Sequence, residues 1–170
     1  MTLDKSTAKR SLKSFENQYG YDASYLHEVL ESSTDAFEAF SQFQAMGSYR
    51  KVLPLDVFFV SKIGAAQTED CGPCTELNVR LAQESGVNDE LLESALSGLG
   101  LSPELEEVRE FSLSVAHNEV KPGQVAQMRD RYGNEGLAEL ALSISSMRVY
   151  PCMKRALGYD RSCSLPPNSV

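Results

Sequence analysis

The run LPLDVFFVSKIGAAQTEDCGPCTELNVRLAQESGV, residues 53–87, decides how the chain reads. Its first half carries Leu55, Val57, Phe58, Phe59, Val60, Ile63, Ala65 and Ala66, apolar nearly all round. A segment of that length with no polar stripe suits a buried helix, and Pro54 falls where a first turn tolerates it. Period alone leaves a short strand open at Val57–Val60. The second half starts at Cys71-Gly72-Pro73-Cys74, and a second helix is expected from Cys71 to Glu84, with Cys74, Leu77 and Leu81 facing inward. Ser85-Gly86 ends it, because glycine just past the last turn adopts the left-handed conformation at little cost.

Working outward, helical spacing continues on both sides. Upstream, Phe37, Phe40, Phe43 and Met46 recur every three residues behind Ser33, Thr34 and Asp35, all capable N-caps. Tyr25, Leu26, Val29 and Leu30 mark an earlier helix with Asp22 as its cap, and Ser6–Tyr19 is a weaker amphipathic helix whose face suits a neighbouring subunit. Downstream, Asn88 caps a short helix, Gly98 and Gly100 break the chain, and Ser102-Pro103-Glu104 opens a helix reaching His117. Lys121-Pro122-Gly123 opens the next, Gly133 separates it from an apolar stripe over Leu137–Leu157, and Pro151 is expected to kink or interrupt that last helix. No segment sustains the period-2 alternation of a strand. The expectation is an all-α chain: a helical extension over 1–32, a helical domain over 33–158 and a tail over 159–170.

Composition narrows the partners. Among 170 residues, 16 Lys and Arg face 24 Asp and Glu, a net charge of −8. Nucleic-acid affinity rests on neutralising phosphates with basic side chains, so a nucleic-acid partner is not expected. No run approaches the roughly 20 apolar residues that cross a bilayer, and the polar N-terminus has no apolar h-region, so a cytoplasmic chain without a membrane partner is expected. Four cysteines are too few for a disulfide scaffold, and in a reducing compartment one tight pair reads as redox chemistry or a partial metal site. Structural zinc wants four ligands, and no second close pair of Cys or His exists, so neither a metal nor another cofactor is expected.

The chemistry sits at Cys71 and Cys74. At a helix start, N–H groups and the helix dipole favour thiolate over thiol, which can lower a cysteine pKa from about 8.5 to roughly 3.5–7.5. One thiolate attacks a peroxide or disulfide and the other closes the bridge. Gly72 permits the tight approach, and Pro73 needs no hydrogen-bond partner in a first turn. Glu69, Asp70 and Glu76 oppose ionisation wherever they lie close, and their net effect has no sign at this level. A thioredoxin-type fold does not fit, since it needs a strand leading into the CxxC helix. The plainer structural reading is two buried cysteines acting as small hydrophobes. The redox reading requires that both sulfurs be reachable and able to cycle.

Residues 53–87, with the later stretch from Pro103 through Gly158, resemble the carboxymuconolactone decarboxylase-like, or alkylhydroperoxidase D-like, superfamily over roughly residues 33–158. That resemblance implies an all-helical bundle and a homo-oligomer. In thiol-bearing members it implies reduction of a small-molecule peroxide or disulfide, fed by a dithiol electron donor. Redox members carry CxxCxxxH with a glutamate about three turns earlier, as a proton relay. Cys71 and Cys74 match the cysteines, whereas Asn78 stands at the histidine position and Phe59 at the glutamate position. Asn78 can hydrogen-bond but cannot carry a proton at neutral pH. Weaker turnover than with a complete relay is therefore expected.

Lys62, one turn after Phe59, can assist a thiolate when buried, although a surface lysine is the plainer reading. Glu69 and Asp56 are further substitutes; His27 and His117 read as ordinary surface or satisfied histidines, with His117 at a helix end that folding can bring near. Cys152 and Cys163 read as incidental. Helix-terminus exposure favours Cys71 as the attacking sulfur, while the resemblance assigns attack to Cys74 and resolution to Cys71. Phe58, Phe59 and a second subunit are the expected lining of an apolar pocket. Two other functions stand beside the oxidoreductase: a non-catalytic binding or assembly protein on the same scaffold, and a carboxymuconolactone decarboxylase-type lyase, whose chemistry relies on acid–base groups that Asn78 does not supply.

Overall fold

A computed structural model describes residues 4–159. Among them are eight helices and no strand: α1 (Lys5–Tyr19), α2 (Ser24–Ser32), α3 (Thr34–Gly47), α4 (Leu55–Gln67), α5 (Gly72–Glu84), α6 (Asp89–Ser97), α7 (Pro103–His117) and α8 (Gln124–Ala156). Val57–Val60 lies within α4, so the strand alternative falls. All ten residues from Val57 to Ala66 are buried, because α5, α6, α7 and α8 pack around α4 on every side.

Capping chemistry sets several boundaries. Ser33 accepts the Ala36 N–H at 3.1 Å, Asn88 accepts that of Leu91 at 2.8 Å, and Ser102 accepts that of Leu105 at 3.4 Å. Each side chain satisfies a donor that the first helical turn leaves without an internal partner. Asp22 acts from one position further out than expected, accepting the Ser24 N–H at 2.9 Å while Ala23 holds the cap position.

Gly133, at φ 70° and ψ −179°, breaks the helical path inside α8, a conformation glycine adopts without a Cβ clash. Pro151 does not interrupt α8. It is buried, and α8 keeps helical backbone angles through it to Ala156. Its missing N–H removes one hydrogen bond, but Met147 on one side and Met153 on the other are packed into separate apolar clusters, which hold both turns in place.

Two cores result. The larger surrounds α4; the smaller joins Ala8 and Leu12 of α1, Tyr25, Leu26 and Leu30 of α2, and Phe37 and Phe40 of α3, with Met153 and Leu157 beside them. Packing therefore runs continuously across residues 32 and 33, and α1 lays its apolar face on its own chain rather than leaving it for a neighbour. Tyr150 touches both cores. The loop into α4 is held by Glu139, whose carboxylate accepts N–H groups of Lys51, Val52 and Leu53 at 2.8–3.2 Å. Burial alone would raise its pKa, but those donors and nearby Arg50 outweigh it and hold the carboxyl below its usual value.

Candidate active site

The turn after α4 delivers the cysteines. Asp70 takes the left-handed conformation at φ 49°, and the chain enters α5 with Cys71 at the N-cap and Pro73 in the first turn. Glu69 pins this turn to α8: its carboxylate pairs with Arg148 at 2.8 Å and Arg155 at 2.6 Å, and Arg155 also donates to its carbonyl at 3.1 Å. Cys71 and Cys74 form a disulfide with Cα atoms 5.3 Å apart, inside the usual range.

Neither sulfur sits on an open helix end. Cys71 is 1% and Cys74 5% exposed, because the start of α5 is covered by Tyr150 and by the α1–α2 pair. The expected exposure of Cys71 is thus corrected. Access instead comes through two recesses. Cys74 lines a partly open, mainly apolar cavity of about 560 Å³, walled by α1, α2, α3, α5 and α8 with Lys62 of α4. Cys71 lines a second, more open recess with more polar side chains, among them Asp70, Thr75, Glu76 and Arg80.

Lys62 and Asn78 line the same cavity as Cys74. Asn78, one turn along α5, donates from Nδ2 to the Cys74 carbonyl at 2.8 Å, while its buried Oδ1 has no partner. A buried acceptor without a donor costs about 1–3 kcal/mol, so this atom favours any guest that brings an N–H or O–H. Lys62 is 6% exposed rather than on the surface. Its ammonium donates to the Gly47 carbonyl at 2.9 Å and lies 5.1 Å from the Phe58 ring centroid. Burial lowers its pKa from 10.5 to about 8. The surface reading failed because residue 62 belongs to a helix surrounded by others.

Tyr21, from the loop between α1 and α2, and Tyr25, from the first turn of α2, complete the site. The Tyr21 hydroxyl lies 3.8 Å from Cys74 Sγ and 3.3 Å from the Tyr25 hydroxyl. Lys154 of α8 places its ammonium 4.4 Å from the Tyr21 ring centroid and 5.3 Å from that of Tyr25. Tyr150 lines the cavity too, and burial raises its pKa. Sequence reasoning read Tyr25 as core and passed over Tyr21. Tyr21 stands in the α1–α2 loop, where no helical spacing marks it.

Other expected residues lie elsewhere. Phe58 and Phe59 pack against each other in the main core, ring centroids 5.3 Å apart, and line neither recess. Opposite Cys74, the cavity wall comes instead from this chain's own α1, α2 and α3, with α8 beside them. Glu69 is engaged by two arginines, and Asp56 is exposed in the first turn of α4. His117 is exposed at the end of α7, and His27 lies 3.5 Å from Glu16; neither lines the cavity. Cys152 is exposed with a free thiol, and Cys163 and the tail beyond Tyr159 lie outside the described residues. Among the described residues no cluster of His, Cys, Asp and Glu converges as a metal site requires, and no helix is long and apolar enough to cross a membrane. Compared with protein-family models, curated proteins and solved structures, the chain matches none.

Proposed function

We propose that the chain is a thiol-dependent oxidoreductase of the alkylhydroperoxidase D-like kind, reducing hydroperoxides or disulfides through Cys71 and Cys74. One observation carries this reading: of the two bridged sulfurs, Cys74 lines a mainly apolar cavity and Cys71 lines a second recess with more polar side chains. A reducible bond with two differently lined approaches suits a cycle in which oxidant and reductant arrive by separate routes. In the reduced protein the Cys74 thiolate attacks the distal oxygen of a hydroperoxide in the cavity. The S–O bond forms, the O–O bond breaks, and the alkoxide takes a proton to leave as an alcohol. Cys71 then attacks the Cys74 sulfenic acid, closing the bridge and releasing water. A dithiol donor, approaching by the Cys71 recess, reopens the bridge by exchange and leaves as a disulfide. Asn78 Oδ1 accepts the hydroperoxide O–H, and the Lys62 ammonium favours the thiolate. A cytoplasmic setting with dithiol carriers, and a homo-oligomer, belong to the same proposal.

The test is stoichiometric peroxide consumption by pre-reduced protein. Cys71→Ser consumes one equivalent and stops, Cys74→Ser consumes none, and the wild type turns over when a dithiol is supplied. Equal behaviour of the two variants refutes the assignment.

The near-complete burial of both sulfurs favours one second reading, a binding protein whose disulfide clamps the start of α5 beside a ligand cavity. A bridge that resists dithiol reduction in the native protein selects that reading.

A further inference from the structure

We propose that Tyr21 is the catalytic hydrogen-bond and proton donor at Cys74, taking the place of the relay that Asn78 and Phe59 do not supply. The inference rests on the oxidoreductase reading and adds to it a residue outside the CxxC segment. Three features of α2 and its surroundings carry it. The Tyr21 hydroxyl lies 3.8 Å from Cys74 Sγ, and the sulfur of a disulfide has no hydrogen, so the phenol is the donor. The Tyr25 hydroxyl lies 3.3 Å from that of Tyr21, within hydrogen-bond reach, so it can donate to Tyr21 while Tyr21 donates to sulfur. Both tyrosines are almost fully buried and line the same cavity as Cys74. In reduced protein the same hydroxyl faces the Cys74 thiolate and stabilises it, since a hydrogen bond to the charged form favours that form.

When the thiolate attacks a hydroperoxide, the S–O bond forms at the distal oxygen, which keeps its hydrogen as the sulfenic acid. The proximal oxygen leaves as an alkoxide. Tyr21 passes its proton to that oxygen and is left as phenolate, so the negative charge moves from sulfur to the ring. The Lys154 ammonium, 4.4 Å from the ring centroid, opposes that charge. A solvent proton restores the phenol, balancing the one released when Cys74 ionised. A phenol, with a pKa near 10, is a far stronger acid than an alcohol, so the transfer runs downhill.

The experiment compares wild type with Tyr21→Phe, which keeps the ring and removes the hydroxyl, using cumene hydroperoxide and an aromatic disulfide as oxidants of pre-reduced protein. The alkoxide leaving group needs a proton; the aromatic thiolate does not. With both rates expressed per Cys74 thiolate, from the titration below, the expected result is a fall of about 10²-fold on the hydroperoxide with the disulfide rate within about threefold. The Cys74 thiolate titration, followed by ultraviolet absorbance, is expected to move up by about one to two pH units. Ring-fluorinated tyrosine at position 21, a stronger acid, retains the hydroperoxide rate and guards against misfolding of the Phe variant. Equal losses on both oxidants, or no loss on either, overturn the role as proton donor. If wild type consumes no hydroperoxide, the peroxidase reading fails instead, and an unchanged thiolate titration in Tyr21→Phe then overturns Tyr21 separately.

Discussion

Replacing Lys62 by methionine separates electrostatics from packing, because the two side chains have similar length and only one titrates. In the folded protein burial lowers the Lys62 pKa from 10.5 to about 8. That difference corresponds to about 3 kcal/mol between the two protonation states. The sign follows from proton counting. Between pH 8 and 10.5 the unfolded chain holds a proton at this lysine that the folded chain has lost, so stability rises with pH across that window. Below pH 8 both states are protonated, and the full penalty of burying the cation is present. In Lys62→Met this contribution vanishes at every pH. The variant also leaves the Gly47 carbonyl without its donor, a constant offset of about 1–3 kcal/mol because the neutral amine still donates. The stability difference between wild type and variant should therefore change by about 3 kcal/mol between pH 7 and 10.5, in favour of wild type at the alkaline end. Urea unfolding at a series of pH values, with the disulfide intact, measures it. A difference that stays flat across that range refutes the claim that burial lowers the Lys62 pKa.

Restoring a proton carrier by Asn78→His should raise hydroperoxide turnover at least tenfold, with the gain following imidazole titration in a pH–rate profile. Ala8→Phe places a ring in the cavity, and should slow cumene hydroperoxide at least tenfold more than hydrogen peroxide; equal slowing would mean that oxidants do not enter there. Glu139→Ala leaves three backbone N–H groups of the α3–α4 loop without their acceptor, and should lower unfolding free energy by about 2–4 kcal/mol in urea melts. Because the native Glu139 carboxyl is held below its usual value, its contribution is full above the ordinary carboxylate range and is lost as pH falls through the lowered pKa, so the gap between wild type and variant should narrow in acid.

The helices were legible because each carries its own local chemistry. A cap at Ser33, Asn88 or Ser102 and an apolar face repeat in sequence what the fold uses, and the unbroken apolar run of α4 already implied a helix enclosed by others. The grouping of Cys71, Cys74, Asn78 and Lys62 was legible from local spacing plus a resemblance. What could not be read was long-range. Tyr21 lies 53 residues before Cys74, and nothing in either segment announces the other. The burial of Lys62 depends on α3 arriving with a free carbonyl at Gly47. Pro151 was misjudged because local propensity was weighed without the packing of its neighbours on both sides.

The charge balance around the cysteines shows why three dimensions were needed to give it a sign. Glu69, Asp70 and Glu76 flank the pair in sequence, and by proximity alone they argue against a thiolate. In the fold, Glu69 is matched by two arginines and Glu76 stands in solvent, where screening weakens its reach. The cations on the other side are buried. Lys62 lines the cavity with Cys74, and Lys154 lies over the tyrosine whose hydroxyl touches its sulfur. Coulomb energy scales inversely with the local dielectric, so a buried cation outweighs an exposed anion at similar distance. Together with the N-terminal end of α5, these buried cations support the Cys74 thiolate that the proposed cycle needs, against an acidic neighbouring sequence.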